Sequence, residues 1–315
     1  MIIFYNEVKK ADAISTAVEQ LHSFINPRVP DFAQVLVNTW QNQGKAITYK
    51  ELREAIMQAY DYGGVEEVEL FERLIAEWRQ DYSIFVMRYV APAWVEAIEE
   101  ANSRLRRRFP DWTWDGFADG IKEWTDTAAA QFVTNVTAEQ IGAIREAVRL
   151  ATQAHTMGVD ELGRVIRPMV GLNQRQARAT WNYYNKLLET GVKERRAVEL
   201  ATRYSARQSR YRGQMIARTE LGFAYNQGAH MGVKAAQSAN LMGPCRKRWC
   251  IAKSERNCEV CKALDGKIIE MDDEFNFHTN LTYPGIRLHP PAHPHCMCGV
   301  LYEEIAPPDF SYMTN

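Results

Sequence analysis

The sequence predicts a mainly α protein: a helical N-terminal body followed by a small α+β, Cys/His-rich C-terminal module with a zinc-ribbon-like hairpin. Three observations carry this. Apolar residues recur at helical spacing behind helix-start signals through the first two hundred residues. No sustained period-two alternation precedes residue 260, so strands are expected only after it. All six cysteines fall between Cys245 and Cys298, and seven of the twelve prolines lie from Pro244 onward. The chain has 315 residues, 46% hydrophobic and 24% charged, which is the composition of a globular protein with a sizeable core. The expected organisation is a helical region over 1–165, a second region over 166–305 that includes the Cys/His module at 245–302, and a tail over 306–315.

The elements follow in order. Thr48 and Glu51 form a capping box, with a hydroxyl for an orphan N–H and a carboxylate reaching back, and Leu52 and Ile56 lie one turn apart behind it. Gly63 and Gly64 read as a turn. Val68, Phe71, Ile75 and Trp78 share one helical face. Pro92 suits the first turn of the helix that carries Trp94 and Ile98. Thr137 and Gln140 read as a second capping box, with Ile141, Ile144, Val148 and Ala151 behind it. Asn173 and Gln176 make a third, followed by Ala177, Trp181, Tyr184 and Leu188, with Gly191 as the C-terminal stop. From Lys193 to Gln237 there is no proline, so one long helix or two are expected. There Ile216, Thr219, Phe223, Asn226 and His230 share a half-polar face, and Ala217, Ala224 and Gly228 let another backbone come close.

Several features have both a plain and a functional reading. Phe71, Trp78 and Trp181 read as core at this spacing, not as a base-stacking platform. The segment from Val159 to Leu188 has helix-turn-helix proportions, but its second helix carries aromatic residues where a DNA reader needs basic ones. Arg104 to Arg108 read as a solvated helix end. Arg218 and Glu220 read as an internal ion pair locking the long helix to the C-terminal module.

Charge is segregated. Net charge is −1, so the whole chain is not a polycation. Between Arg203 and Arg256, however, 11 Lys/Arg meet two acids, and from Asn257 onward three meet nine. The basic segment has three candidate counterparts: phosphates, the chain's own acidic module, or an acidic partner. Arg246, Lys247 and Arg248 are the candidate contacts to DNA or a partner. No stretch has the length of apolar residues that a membrane helix needs, and no secretory signal is expected at the start, so synthesis in a reducing cytoplasm is expected.

The sharpest signal is Cys258 and Cys261, then His293, Cys296 and Cys298. A Cys-x2-Cys knuckle presents two thiolates to a tetrahedral zinc, and the second cluster offers more than the two needed to close it. Cys296 and Cys298 fall on one face if Cys296 begins a strand, so either can be the fourth ligand. Asp265-Gly266 is a hairpin signal followed by a strand-like run to Glu270. Pro290, Pro291 and Pro294 hold the returning arm extended. His295 stands beside His293 as its substitute, His278 and His289 are not read as ligands, and Cys245 and Cys250 have no assigned role. Disulfides and plain packing of free thiols are the other readings of the cysteines.

The arrangement of Ile216 to Glu220, Asn226 to Gly228, Arg248-Trp249, Cys258 and Cys261 with Leu264 to Gly266, and Pro290 to Cys298 resembles the phage Mu F-like minor head protein family. Gly171 to Gln176 resembles the segment that precedes this domain. His295 and Met297 replace the usual Asn and Arg of the family's His-Pro-Asn-Cys-Arg-Cys ending. The resemblance implies a structural, non-enzymatic minor capsid or head morphogenesis protein, made beside the portal gene in the host cytoplasm. It implies incorporation into the virion near the portal, and action in head assembly and DNA packaging or ejection. The implied partners are the portal protein, capsid or scaffold proteins and phage DNA, with no membrane. The competing readings are a metal-dependent nuclease or hydrolase, which needs an open metal position and a nearby base, and a DNA-binding zinc module.

Overall fold

The computed structural model describes residues 1–5, 7, 13–113, 115–153, 159–252 and 257–308. Lys253, Glu255 and Arg256 of the basic segment and residues 309–315 of the expected tail lie outside the described residues. The helices are α1 (Ala13–Ala46), α2 (Tyr49–Asp61), α3 (Glu69–Phe85), α4 (Ala91–Ala101), α5 (Ser103–Arg108), α6 (Asp115–Gln153), α7 (Val159–Ile166), α8 (Gln174–Glu189), α9 (Glu194–Ser238) and α10 (Glu259–Leu264). Four strands, β1 (Ile2–Ile3), β2 (Cys245–Cys250), β3 (Ile268–Glu270) and β4 (Gly299–Glu304), form one sheet in the order β1-β4-β2-β3. The protein is mainly α with a small C-terminal sheet, and among the described residues no helix is long and apolar enough to cross a membrane.

The local signals at α2 and α8 act as read. Thr48 and Asn173 each accept from the backbone N–H three residues on, and Glu51 and Gln176 reach back to close both capping boxes. Gly191, at positive φ, ends α8 with the paired hydrogen bonds from Gly191 to Leu188 and from Val192 to Leu187 that satisfy the last carbonyls. The long helix over 194–238 is a single helix.

Three expectations are corrected. Thr137 and Gln140 do not start a helix. They lie inside α6, because Phe117, Trp124, Ala128, Phe132 and Val136 continue its buried stripe upstream. Strands are not confined to the chain after residue 260: β1 lies at Ile2–Ile3, where two residues are too few to show an alternation, and β2 at Cys245–Cys250. In β2 the pattern is period two, with Cys245, Lys247 and Trp249 buried, but a lysine occupies the central inward position and hides the alternation. Asp265-Gly266 does not join two strands. It ends α10 and leads into β3, whose partner is β2, with Arg246 opposite Glu270 and Arg248 opposite Ile268.

The chain divides into two compact units. One comprises 1–30, 87–131 and 215–315, the other 31–86 and 132–214. In the first, β2 pairs antiparallel with β4 over its whole length, and β1 pairs parallel with β4. One core of this unit is built from Ile2, Phe4, Leu105, Val233, Met242, Met271, Val300 and Tyr302. A second core, around Trp249, Leu264, Phe275 and Phe277, includes Cys261, Cys296 and Cys298. The helix pair in this unit is close: a Cβ at Gly228 would lie 2.6 Å from the Ile98 Cα.

The second unit is organised around a buried polar chain. Trp40 Nε1 donates to the Tyr82 hydroxyl (2.8 Å), which also bonds Gln140, and Gln140 Nε2 donates to Gln43 Oε1 (2.9 Å). The fully buried Arg212 donates to Gly171 O (2.8 Å) and Glu139 (2.7 Å) and lies over the Trp40 ring. Arg149 and Arg178 both bond the Glu146 carboxylate and hold its pKa down to about 2.

These environments set opposite outcomes for two helical glycines. Gly228→Ala forces its methyl group into the Ile98 backbone and is expected to destabilise the chain by about 1–3 kcal/mol. Gly142→Ala in α6 meets nothing within 4 Å and should stabilise it, by about 0.5–1 kcal/mol, through the lower backbone entropy of alanine. Chemical denaturation of the two variants checks the sign of each.

Candidate metal centre

The first pair of ligand atoms comes from the start of α10. Cys258 is its N-cap, with extended backbone, and its sulfur accepts from the Cys261 N–H (3.4 Å). One helical turn therefore places both sulfurs together and orients Cys258 by the helix N-terminus itself. Cys258 is exposed and Cys261 buried.

The second set is carried by the returning arm, which has no regular structure from 273 to 298. His295, at φ 65°, turns the chain, and the Cys296 N–H closes the turn on His293 O (3.1 Å). His293 Nε2 then lies 3.1 Å from the Cys258 sulfur and 3.2 Å from the Cys261 sulfur. His293 Nδ1 lies 2.9 Å from Pro294 O; as the donor there it leaves Nε2 bare toward the sulfurs. Cys296 Sγ is 3.8 Å from Cys261 Sγ. Cys258, Cys261 and His293 form one group whose ligand atoms lie within 4.8 Å of one another, and Cys261, Cys296 and Cys298 form another. Cys261 is common to both. The five sequence-expected residues are thus brought into one cluster that could hold a metal ion.

The donor set passes a simple test of fit. In a tetrahedron with zinc–sulfur bonds of ~2.3 Å, two sulfurs stand about 3.8 Å apart, the separation of Cys261 and Cys296. Hydrogen bonds from Cys261 and Cys298 hold the Cys296 thiol well below its ordinary range, and the same sharing pushes Cys261 up.

What places this arm is a row of hydrogen bonds to α9. The Tyr283 hydroxyl donates to Glu220 Oε1, and the Tyr283 ring stacks on Phe223 at 4.5 Å. His289 Nε2 meets Gln227 Oε1 at 2.6 Å, and its Nδ1 meets Pro290 O at 2.6 Å. The His295 N–H donates to the Thr219 hydroxyl at 2.9 Å. The half-polar face of α9 is a docking rail for the ligand arm. Tyr283 carried no signal in the sequence, because it stands neither at a ligand spacing nor on an apolar period, and Gln227 stood in the Asn226 to Gly228 motif without a role that spacing could assign.

Two expected roles are corrected. Arg218 and Glu220 do not pair, since residues two apart on a helix face different ways. Arg218 donates to Asn26 Oδ1 (3.0 Å) and to the Met297 sulfur (2.7 Å), so Met297 does supply a partner at this point of the turn. Glu220 is buried, with no hydrogen-bond partner for Oε2 among the described residues; burial lifts its pKa to about 8, opposed by Tyr283 and Trp94, which favours the neutral carboxyl. Lys247 cannot reach DNA. It is fully buried, has no hydrogen-bond partner among the described residues, and is pushed down to about 8 by burial. Its neighbours on β2 are engaged across the sheet, Arg246 with Glu270 (2.8 Å) and Arg248 with Glu303 (3.7 Å).

Residues 143–301, just over half of the chain, match the family model described as phage Mu protein F like protein. The chain belongs to the phage Mu protein F like family. It is a family of structural phage head proteins, acting in head morphogenesis. The matched stretch of this Mu F-like chain contains α8, α9, the ligand arm and the whole Cys/His cluster. No curated protein and no solved structure matches the chain.

The buried acid and histidines of the rail set a pH profile. A carboxyl with a folded pKa of about 8 and an ordinary value of 4.5 binds a proton on folding between those values, so its contribution falls as pH rises from about 4.5 to about 8. His289 and His230, held neutral by burial at about 3 and about 4, act in the opposite direction and cost stability as pH falls below 6.5. Glu220→Gln should therefore flatten the limb between pH 5 and 8, by up to about 1.4 kcal/mol per pH unit, and leave the acid limb in place. Urea titrations at several pH values read both limbs.

Proposed function

We propose that the chain is a non-enzymatic minor component of the phage virion, held at the portal, that acts in head assembly and in DNA packaging or ejection. We propose with it that Cys258, Cys261 and His293, with Cys296 or Cys298, hold a structural zinc. The observation that carries the reading is the cluster's composition and position. It gathers five Cys/His donors and, among the described residues, no carboxylate, and it ties the start of α10 to the end of an arm that has no regular structure of its own.

Bound there, zinc supplies fixed bonds between α10 and the arm. The protein's own residues do the rest. The rail on α9 aligns the arm, His293 is oriented through Pro294, and Trp249, Phe275 and Phe277 pack behind the thiols. The nuclease alternative needs an acid or base at the cluster. Of the histidine and carboxylate groups that could serve beside His293, His289 is engaged with Gln227 and Pro290, and Asp265 Oδ1 accepts from the Ile251 N–H at 3.4 Å. Both are occupied structurally, which favours the stapling role. Family membership supports the place in the phage head. Portal and capsid proteins are the partners proposed, and synthesis in the host cytoplasm precedes incorporation.

Co-expression with the neighbouring portal gene is expected to give a complex that co-purifies; separate elution of the two proteins overturns the portal assignment. Incubation of the pure chain with magnesium, manganese or zinc and plasmid DNA should leave the DNA intact, and cleavage lost in His293→Ala would make it a nuclease.

For the metal, protein from zinc-replete medium should carry about one zinc per chain by mass spectrometry, and chelation should open the C-terminal module to protease. Cys258→Ser should lower zinc content and show the same protease pattern while helical circular dichroism persists. A metal-free chain with an unchanged pattern after chelation returns the cysteines to packing.

A further inference from the structure

The excess of positive charge between Arg203 and Arg256 has three candidate counterparts, and carboxylates of the chain itself take Arg212, Lys234, Arg246 and Arg248. Lys234 bonds Asp272 (2.6 Å), and Arg246 and Arg248 take Glu270 and Glu303. Arg212 takes Glu139, Arg218 takes Asn26 and Met297, and Lys247 is buried. Asp272, Glu270 and Glu303 of the acidic C-terminal module thus meet cations of the basic segment. Arg203, Arg207 and Arg210, at the start of the basic run, remain. All three are exposed. No carboxylate lies within ion-pair reach of Arg207 or Arg210 among the described residues, and Arg203 shares Glu199 with Arg196, both at 2.6 Å.

These arginines are arranged. At about 100° per residue, Arg196, Arg203, Arg207 and Arg210 fall within an arc of about 60° on α9, and Arg203 to Arg210 cover about 10 Å of its axis. One carboxylate among four guanidinium groups leaves the stripe strongly positive. Tyr183 and Tyr204 stack on each other at 5.0 Å beside it, and Arg207 lies over the Tyr204 ring at 5.7 Å. These rings are thus engaged with each other and with Arg207, and what the stripe itself presents is forked donors. Guanidinium forks match phosphate oxygens two at a time.

We infer that the Arg196–Arg210 stripe of α9 is a binding face for the phosphodiester backbone of duplex DNA, with no sequence preference. This deepens the head-protein reading and rests on it for the choice of DNA as the polyanion. It replaces the expected contact at Arg246, Lys247 and Arg248 with a different surface.

The test uses the full chain and a fluorescently labelled duplex of random sequence, read by anisotropy between about 50 and about 200 mM salt. Binding should weaken steeply with salt. The double variant Arg207→Gln/Arg210→Gln should bind about ten-fold more weakly and lower the salt slope by about two, one for each contact removed. Arg207→Lys/Arg210→Lys should restore most of the slope. Lys234→Gln/Arg246→Gln, which removes the same net charge from paired sites, should bind like the parent. The proposal is overturned if the chain does not bind the duplex, if the two Gln double variants lose affinity equally, or if polyglutamate displaces the duplex as well as inorganic polyphosphate does, which would make an acidic protein the partner. A chain that co-purifies with the portal yet fails here leaves the head-protein reading standing and removes only the DNA face.

Discussion

The functional end of this protein depends on the polar face of one helix. The arm that delivers His293, Cys296 and Cys298 has no ladder of its own to fix it, so its position is set by what it touches. Glu220, Gln227 and Thr219, spaced along α9, hold Tyr283, His289 and the His295 N–H in turn. Each of these contacts is buried or partly buried, where a hydrogen bond lost leaves a polar group stranded at greater cost than the bond's own net worth. The rail thus fixes the arm along its length, and the ligand cluster forms at the end of it.

The same logic explains two groups that look misplaced. Glu220 is a carboxyl kept neutral by burial, and Lys247 is an ammonium at the centre of a strand in the core. In low dielectric a neutral acid tolerates apolar neighbours that a carboxylate would not, and the ring of Phe275, 5.7 Å from the Lys247 ammonium, offers that cation a face. A head protein with a small second core around Trp249 has little apolar area to spend at this end, which makes a metal staple through Cys258, Cys261 and His293 physically economical.

The basic segment separates into parts with different fates. Lys234, Arg246 and Arg248 pair with carboxylates of the acidic module, whereas Arg203, Arg207 and Arg210 are exposed along one stripe of α9. Segregation of charge in the sequence therefore reflects two tasks, internal pairing and an exposed surface, which composition merges into a single excess.

By itself the sequence determined whatever depends on neighbours in the chain: the capping boxes at Thr48 and Asn173, the stop at Gly191, the mainly α class, and the membership of Cys258, Cys261, His293, Cys296 and Cys298 in one set. Caps and ligand spacings are local, so a few residues suffice to encode them. Tertiary structure decided the rest. Thr137 and Gln140 have the residues of a cap but sit mid-helix, because upstream apolar residues prolong the stripe and Gln140 is needed by Tyr82. The strand at Cys245–Cys250 was hidden because its inward lysine finds burial only once β4, α9 and Phe275 surround it. Arg218 and Glu220 adjoin in sequence yet diverge in space, because a helix sends side chains two residues apart to different faces and each then meets partners tens or hundreds of residues away.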